Sequence, residues 1–390
     1  VGGLLVGVLA FAVAAPMAVA ARTAYVSAGL VGTMFKSSDE TKSATRPTLD
    51  PSHPGDQEQK SDPWADKARL NVLLLGGDAG KGREGTRTDT VILASIDTKS
   101  GDTTLFSLPR NTVGMPFPSG SPLRKYYPNG FTDGNSGNAE YFLNAMYRDV
   151  PRRIPKDLLG DTDNLGADVM KLSVGEALGL KVDYYALINL EGFSKMVDAL
   201  GGVRLNVNTY IPMGGVSDLH IPPKEYLHPG PDQKLDGRDT LWYARGRYGS
   251  DDFARMDRQR CVINAMIKQV KPANVLTRYE DIANASKSIV YTDIPQEVLP
   301  ALVDLSLRVK KGNVRSVVFK NGVSGFTSVN PDFDQMRSRV KKAIGETKSD
   351  KTPPKTTGSK DSGKAPTSED VDSTCKYDPK VAATAKPYTG

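Results

Sequence analysis

The segment from Asn71 to Leu108 constrains the fold more than any other part of the chain. Residues 71–75, 90–97 and 103–108 are short aliphatic and β-branched runs, bounded by Gly and turn residues. Runs of that kind mark strands buried on both faces. The turn Lys99-Ser100-Gly101-Asp102 joins the second run to the third. Helical and strand signals alternate after that. Helices are expected over 138–149, 168–178, 192–200, 252–270, 296–309 and 333–343, and strands over 184–190, 203–207 and 314–319. A mixed order with one hairpin predicts an α/β fold, a sheet covered by helices on both faces.

The ends of the chain read differently. Val1 to Ala21 carries no charge, and a run of that size can span a bilayer, which takes about 20 apolar residues. Ala-x-Ala steps near Ala18–Ala21 also suit a secretory signal peptide. With no Met and no basic segment ahead of it, the run is expected to be an uncleaved anchor whose upstream residues are missing. Everything after Arg22 is then extracytoplasmic. Residues 36–67 are rich in Ser, Thr, Pro, Asp and Lys, so 22–69 is expected to be a linker, with 70–345 the folded domain. The polar segment from Glu346 predicts a disordered tail over 346–390. Only two cysteines occur, Cys261 and Cys375. In an exported chain they are expected to bridge, pinning the tail to the domain.

A net charge of +6 suits anionic partners such as phosphate, acidic glycans or lipid head groups. Zinc-finger spacing, RNP-type aromatics and a helix-turn-helix are missing, so nucleic acid is not indicated. His53 falls in the linker and His220 and His228 in a Pro-rich loop, which argues against a Ser-His-Asp hydrolase and a His-rich zinc site.

Two motifs point to an anion. Arg245, Arg247, Arg255, Arg258 and Arg260 crowd the text WYARGRYGSDDFARMDRQRC. Arg255 and Gln259 fall on the same helical stripe as Met256, Ile263, Met266, Ile267 and Val270, just after the cap candidates Ser250, Asp251 and Asp252. An inward Arg beside a helix N-terminus suits an oxyanion. The competing readings are a solvated face, which applies most to Arg258 and Arg260, and an Arg255 paired with an Asp. The second motif, LLLGGDAGKGREGTRTDTVIL, holds Gly76, Gly77, Gly80, Gly82 and Gly85 between Asp78 and Asp89. Two carboxylates at neighbouring strand ends suit a hard cation such as Mg²⁺ (or Mn²⁺) that shares phosphate oxygens, the competing reading being a polar loop with an Asp turn. Arg87 shares the face of Asp89. No Gly-Lys-Ser/Thr follows, so this is not a Walker loop. Pro109 ends the third run and projects Arg110 toward the same place, completing a metal-plus-arginine set of the kind used in phosphoryl transfer.

Five ordered blocks, LLLGGDAG…RTDT, SLPRNT, VDYYALINLEGFSKMVDALGGV, LDGRDTLWYARGR and DDFARMDRQR, resemble the LytR-CpsA-Psr family over residues 70–344. Its actinobacterial members look most similar, because they share a Cys after the RQR and another near the C-terminus. The resemblance implies a three-layer α-β-α sandwich with a mixed central sheet and an apolar pocket for a polyprenyl chain. It implies a membrane-anchored ligase that moves a glycopolymer from polyprenyl diphosphate to peptidoglycan with Mg²⁺. Asp78 and Asp89 would hold the metal, and Arg87, Arg110, Arg245, Arg247, Arg255 and Gln259 the diphosphate. Arg110, Arg245 and Arg247 would carry the catalysis, with Asp252 orienting arginines. Asn111 stands where the family usually has Asp. Alternatives left open are diphosphate hydrolysis, transfer to a protein, and non-catalytic binding of wall glycan or polyprenyl.

Overall fold

The computed structural model describes residues 37, 42–43, 45, 64, 66–78, 85–215, 221–269, 290–345 and 368–388. The expected anchor, Gly80, Gly82, His53, His220 and Val270 lie outside them. Among the described residues no helix is long and apolar enough to cross a membrane.

Strands β1 (Arg69–Gly77), β2 (Thr88–Asp97) and β3 (Thr103–Leu108) form an antiparallel meander. The hairpin turn is where Lys99-Ser100-Gly101-Asp102 placed it. Alternate side chains of β1 enter opposite layers, as a period of two requires. Leu70, Val72 and Leu74 join one core, and Leu73 and Leu75 the other. The first core is closed by β4 (Tyr184–Asn189), α3 (Leu190–Ala199), β5 (Val203–Val207), α4 (Gly237–Arg245), α5 (Asp252–Gln269) and α6 (Leu299–Lys311). On the other face lie α1 (Leu143–Arg153), α2 (Leu165–Leu178) and α7 (Phe333–Gly345). Strand β4 pairs parallel with β1, and β10 (Val314–Val318) parallel with β3. With β9 (Val290–Thr292) and β11 (Glu369–Asp370) the sheet runs β11-β10-β3-β2-β1-β4-β9. This is the expected three-layer α-β-α sandwich with a mixed sheet.

Two small ribbons lie outside the main sheet. Strand β5 pairs with β8 (Gly230–Leu235), and β6 (Ile211–Met213) with β7 (Glu225–Leu227).

The domain does not begin at residue 70 or end at 345. Trp64 is buried in the first core and donates its indole N–H to Ala301 C=O at 3.0 Å. In the expected linker, Lys42 pairs with Asp161 at 2.6 Å, and the hydroxyls of Ser43 and Thr45 both donate to Asp168, at 2.7 and 2.8 Å. The expected disordered tail is folded over 368–388, as edge strand β11 followed by α8 (Val371–Thr374) and α9 (Pro379–Thr384). Cys375 is bonded to Cys261 as expected, with the Cα atoms 5.5 Å apart. The tail also hides the back of α5. Cys261, Asn264 and Arg260 are buried there, while Lys268 near the end of the same side stays exposed.

Candidate functional site

Strand ends and two helices converge at one edge of the sheet. The last pair of the β1–β2 ladder is Gly77 with Thr88, after a bulge. A Cβ on Gly77 would sit 2.6 Å from the Thr86 methyl, so glycine lets the returning chain approach. Beyond that pair Asp78 and Arg87 clasp each other. The Asp78 N–H donates to Arg87 C=O at 3.0 Å, and Asp78 Oδ1 accepts the Arg87 N–H at 2.8 Å.

Asp89 is the hub of this half. Its Oδ1 accepts from Arg110 Nη1 and from Asn144 Nδ2, both at 2.9 Å. Asn144 reaches it because the start of α1 docks on the turn after β3. Its N–H donates to Arg110 C=O and that of Leu143 to Thr112 C=O, both at 2.9 Å. Burial alone would raise the Asp89 pKa. Arg110, Asn144 and Arg255 outweigh it and hold the carboxyl below its ordinary range. Burial works against the Arg110 charge as well, but Asp89, Asp252 and Asp78 keep its pKa above the ordinary value.

Asp252 is the hub of the other half. It opens α5, and Asp251 caps that helix by accepting the Ala254 N–H at 2.7 Å. Its carboxylate lies 2.9 Å from Arg255 Nη2, 3.3 Å from Arg247 Nη1 and 3.6 Å from Arg110 Nε. Arg255, only 5% exposed, also donates to Asp89 C=O at 3.0 Å. Its burial pulls the guanidinium pKa down to about 10 against the pull of Asp252, and its Nε is buried without a hydrogen bond. Arg245 ends α4, half-buried, with its guanidinium 4.8 Å above the Trp242 ring. Gln259 is buried and donates to Ala244 C=O at 3.2 Å, tying α5 to α4.

Most of the expected residues therefore meet at one place, through Asp89 and Asp252. Arg87 belongs to it by its backbone, while its guanidinium is paired with Glu140. Arg258 and Arg260 are not the surface charges that a solvated face would give. Arg258 donates to the carbonyls of Tyr243 and Gly246. Arg260 is 0% exposed and bonds Asp257, Ser316 and Glu369. Both arginines knit α5 to its surroundings instead of facing an anion. Asn111 reaches Ser328 Oγ at 3.2 Å. Asn144 and Glu140 were not foreseen. Neither carries a local sequence signal, because each matters through a partner more than 50 positions away.

The carboxylates are suited to a metal in a limited sense. Among the described residues no group of three or more His, Cys, Asp or Glu side chains could hold an ion. Two carboxylates fit a hard cation that takes the rest of its shell from phosphate oxygens and water, as Mg²⁺ does. A groove of about 610 Å³ along α2, lined by Thr45, Pro118, Lys171, Glu176 and Lys181 among others, contains none of the arginines above.

The sequence pattern of the LytR_cpsA_psr family matches residues 32–342. A polyisoprenyl-teichoic acid–peptidoglycan teichoic acid transferase, TagU of Oceanobacillus iheyensis, is 28% identical over 255 residues, covering 65% of this chain and 67% of its own. TagU of Enterococcus faecalis is 28% identical over 58% of this chain and 62% of its own. Biofilm regulatory protein A of Streptococcus mutans is 26% identical over 76% of this chain and 68% of its own. The chain thus spans about two thirds of the length of these relatives. The crystal structure of protein gbs0355 from Streptococcus agalactiae superposes with a TM-score of 0.51 at 22% identity, over 71% of this chain and 88% of its own, which supports the fold. With a match over most of its length, the chain belongs to the LytR-CpsA-Psr family.

Proposed function

We propose that the protein is a transferase that moves a glycopolymer from a polyprenyl-diphosphate carrier to peptidoglycan. The observation that carries this reading is the convergence of Arg110, Arg247 and Arg255 on Asp89 and Asp252, with Arg245 at the end of α4, two residues before Arg247. Cations gathered at that density are held in place by acids until an anion of comparable charge replaces part of the pairing. A diphosphate carries that charge. The names of the relatives supply the substrate class: polyisoprenyl-linked teichoic acid as donor and peptidoglycan as acceptor.

The acceptor hydroxyl attacks the phosphorus that bears the glycan. A new O–P bond forms as the bond to the bridging oxygen breaks, and polyprenyl phosphate departs with that electron pair. The hydroxyl proton can go to the departing phosphate, whose second pKa is about 6. Arg110, Arg245 and Arg247 oppose the charge that builds on the phosphoryl oxygens, the largest contribution in such chemistry. Arg255, with Gln259 beside it, binds the second phosphate, and Arg87 joins once released from Glu140. Asp252 aims the arginines. Asp78 and Asp89 are the residues that would hold Mg²⁺, which neutralises diphosphate charge when bound. An apolar pocket for the prenyl chain, an anchor at residues 1–21 and an extracytoplasmic site belong to the same proposal.

The test is a purified protein given a polyprenyl-diphosphate-linked glycan with and without peptidoglycan. Expected is a glycan–phosphodiester–peptidoglycan product that needs the acceptor. Equal turnover without acceptor would make the protein a diphosphate hydrolase. Binding without turnover would make it a carrier-binding protein.

A further inference from the structure

Arg247 lies in neither a helix nor a strand. It opens a turn over residues 247–250, closed by the Ser250 N–H donating to Arg247 C=O at 2.7 Å. Gly249 takes the left-handed conformation there, φ +70°. A turn with glycine at its third position is easily remodelled, yet Arg247 must meet Asp252 just beyond it.

The outer side of this turn is covered by the far end of the chain. The Tyr388 ring lies so close to Gly249 that a methyl group on the glycine would overlap it. The same ring stands edge-on to Tyr248, with centroids 5.5 Å apart, and Tyr248 is buried. The Tyr226 hydroxyl donates to Tyr388 C=O. The tail reaches this point on a fixed course. Cys375 is bonded to Cys261. Asn206 and Asn208 donate side-chain amides to the carbonyls of Cys375 and Lys376, both at 3.0 Å, and Asn208 Oδ1 accepts the Asp378 N–H at 2.9 Å.

We infer that Tyr388 is a positioning residue, whose ring clamps the 247–250 turn and thereby holds Arg247 against Asp252. The inference rests on the transferase reading for its catalytic consequence, but not for the clamp itself. With the ring gone, the buried Tyr248 faces water, Gly249 loses its packing partner, and the turn samples other geometries. A displacement of about 1 Å in a positioning group can cost on the order of 10²-fold in rate. Tyr388 is itself 54% exposed, so its removal should spare the core.

Two measurements on the full chain test this. In hydrogen exchange, Tyr388→Ala should speed exchange of the amides of 246–252 and leave those of β1–β3 unchanged, and Tyr388→Phe, which keeps the ring, should restore protection. In the transfer assay Tyr388→Ala should lower kcat at least fivefold with a smaller change in KM, and Tyr388→Phe should recover it. Unchanged exchange over 246–252 in Tyr388→Ala overturns the clamp. Faster exchange with wild-type kcat overturns its catalytic role, and so does a loss that Tyr388→Phe fails to recover. A wild-type protein without transfer activity counts against the proposed function instead, and the exchange arm then still decides the clamp.

Discussion

The two halves of the site are built in opposite ways. Asp78, Asp89 and Arg110 stand at the ends of three hydrogen-bonded strands, and backbone ladders between buried aliphatic runs fix their positions. Arg245, Arg247 and Arg255 stand on two helix ends and a turn. What holds them is side chains: Arg258 on the α4 carbonyls, Arg260 on Asp257, Ser316 and Glu369, and the bridge from Cys261 to the tail. One half inherits its precision from the sheet. The other half depends on a segment more than a hundred residues downstream.

The most direct way to break the comparison is to remove one cation from each half. Arg110→Ala and Arg245→Ala should each lower kcat/KM for transfer roughly 10²–10³-fold, the usual loss for a group that stabilises transition-state charge. Both proteins should stay folded by circular dichroism. Wild-type activity in either variant would remove that half from the chemistry.

Stability should separate the halves more cleanly than activity does. The Cys261–Cys375 bridge closes a loop with a sequence separation of 114. Replacing both cysteines by serine should lower the unfolding free energy by about 2–5 kcal/mol. Hydrogen exchange should then rise in α5 and in the edge strand β11 before it rises in β1–β3. Arg260→Met should act in the same place but less strongly. It leaves Asp257 and Glu369 without their shared partner, but both are partly exposed. A cost of about 1–2 kcal/mol follows once the figure for a fully buried pair is discounted for solvent. Denaturant unfolding measures both, and uniform loosening of all the strands would show that the halves are not separate.

The same division decided what could be read from the chain. Strands β1 to β3, their hairpin and the meeting of Asp78, Asp89 and Arg110 follow from local runs of buried residues, and these runs were legible. So was Arg255, because its stripe is local to α5. Helix α4 carries a mostly polar face and a cap, Asp236, that accepts the Asp239 N–H at 2.8 Å. At nine residues it is too short to show a sustained periodic run. Arg258 and Arg260 look like solvent-facing charge until the distant chain that covers them is known. The docking of Ser43 and Thr45 on Asp168 is equally invisible, since hydroxyls in a Ser/Thr-rich segment carry no mark of which ones find a partner.

The halves should also fail at opposite ends of the pH scale. Asp89 has a folded pKa below the ordinary carboxylate value. Its stabilising contribution is complete above the unfolded value of about 3.9 and is lost only as pH falls through the lower folded one. The strand-end half is therefore insensitive to pH from about 5 upward. Arg255 behaves differently, because burial brings its pKa down to about 10. Between that value and the higher ordinary one the unfolded chain binds more protons, so stability attributable to Arg255 rises with pH while the site loses a positive charge. Affinity for inorganic diphosphate, measured by calorimetry, should therefore weaken as pH rises toward the lowered Arg255 value. Bound anion pulls the Arg255 pKa back up by linkage, so binding should take up protons in that range. Arg255→Gln should lower affinity at pH 7 and abolish the proton uptake. An alkaline limb unchanged in that variant would place the titrating group elsewhere and take Arg255 out of the anion site.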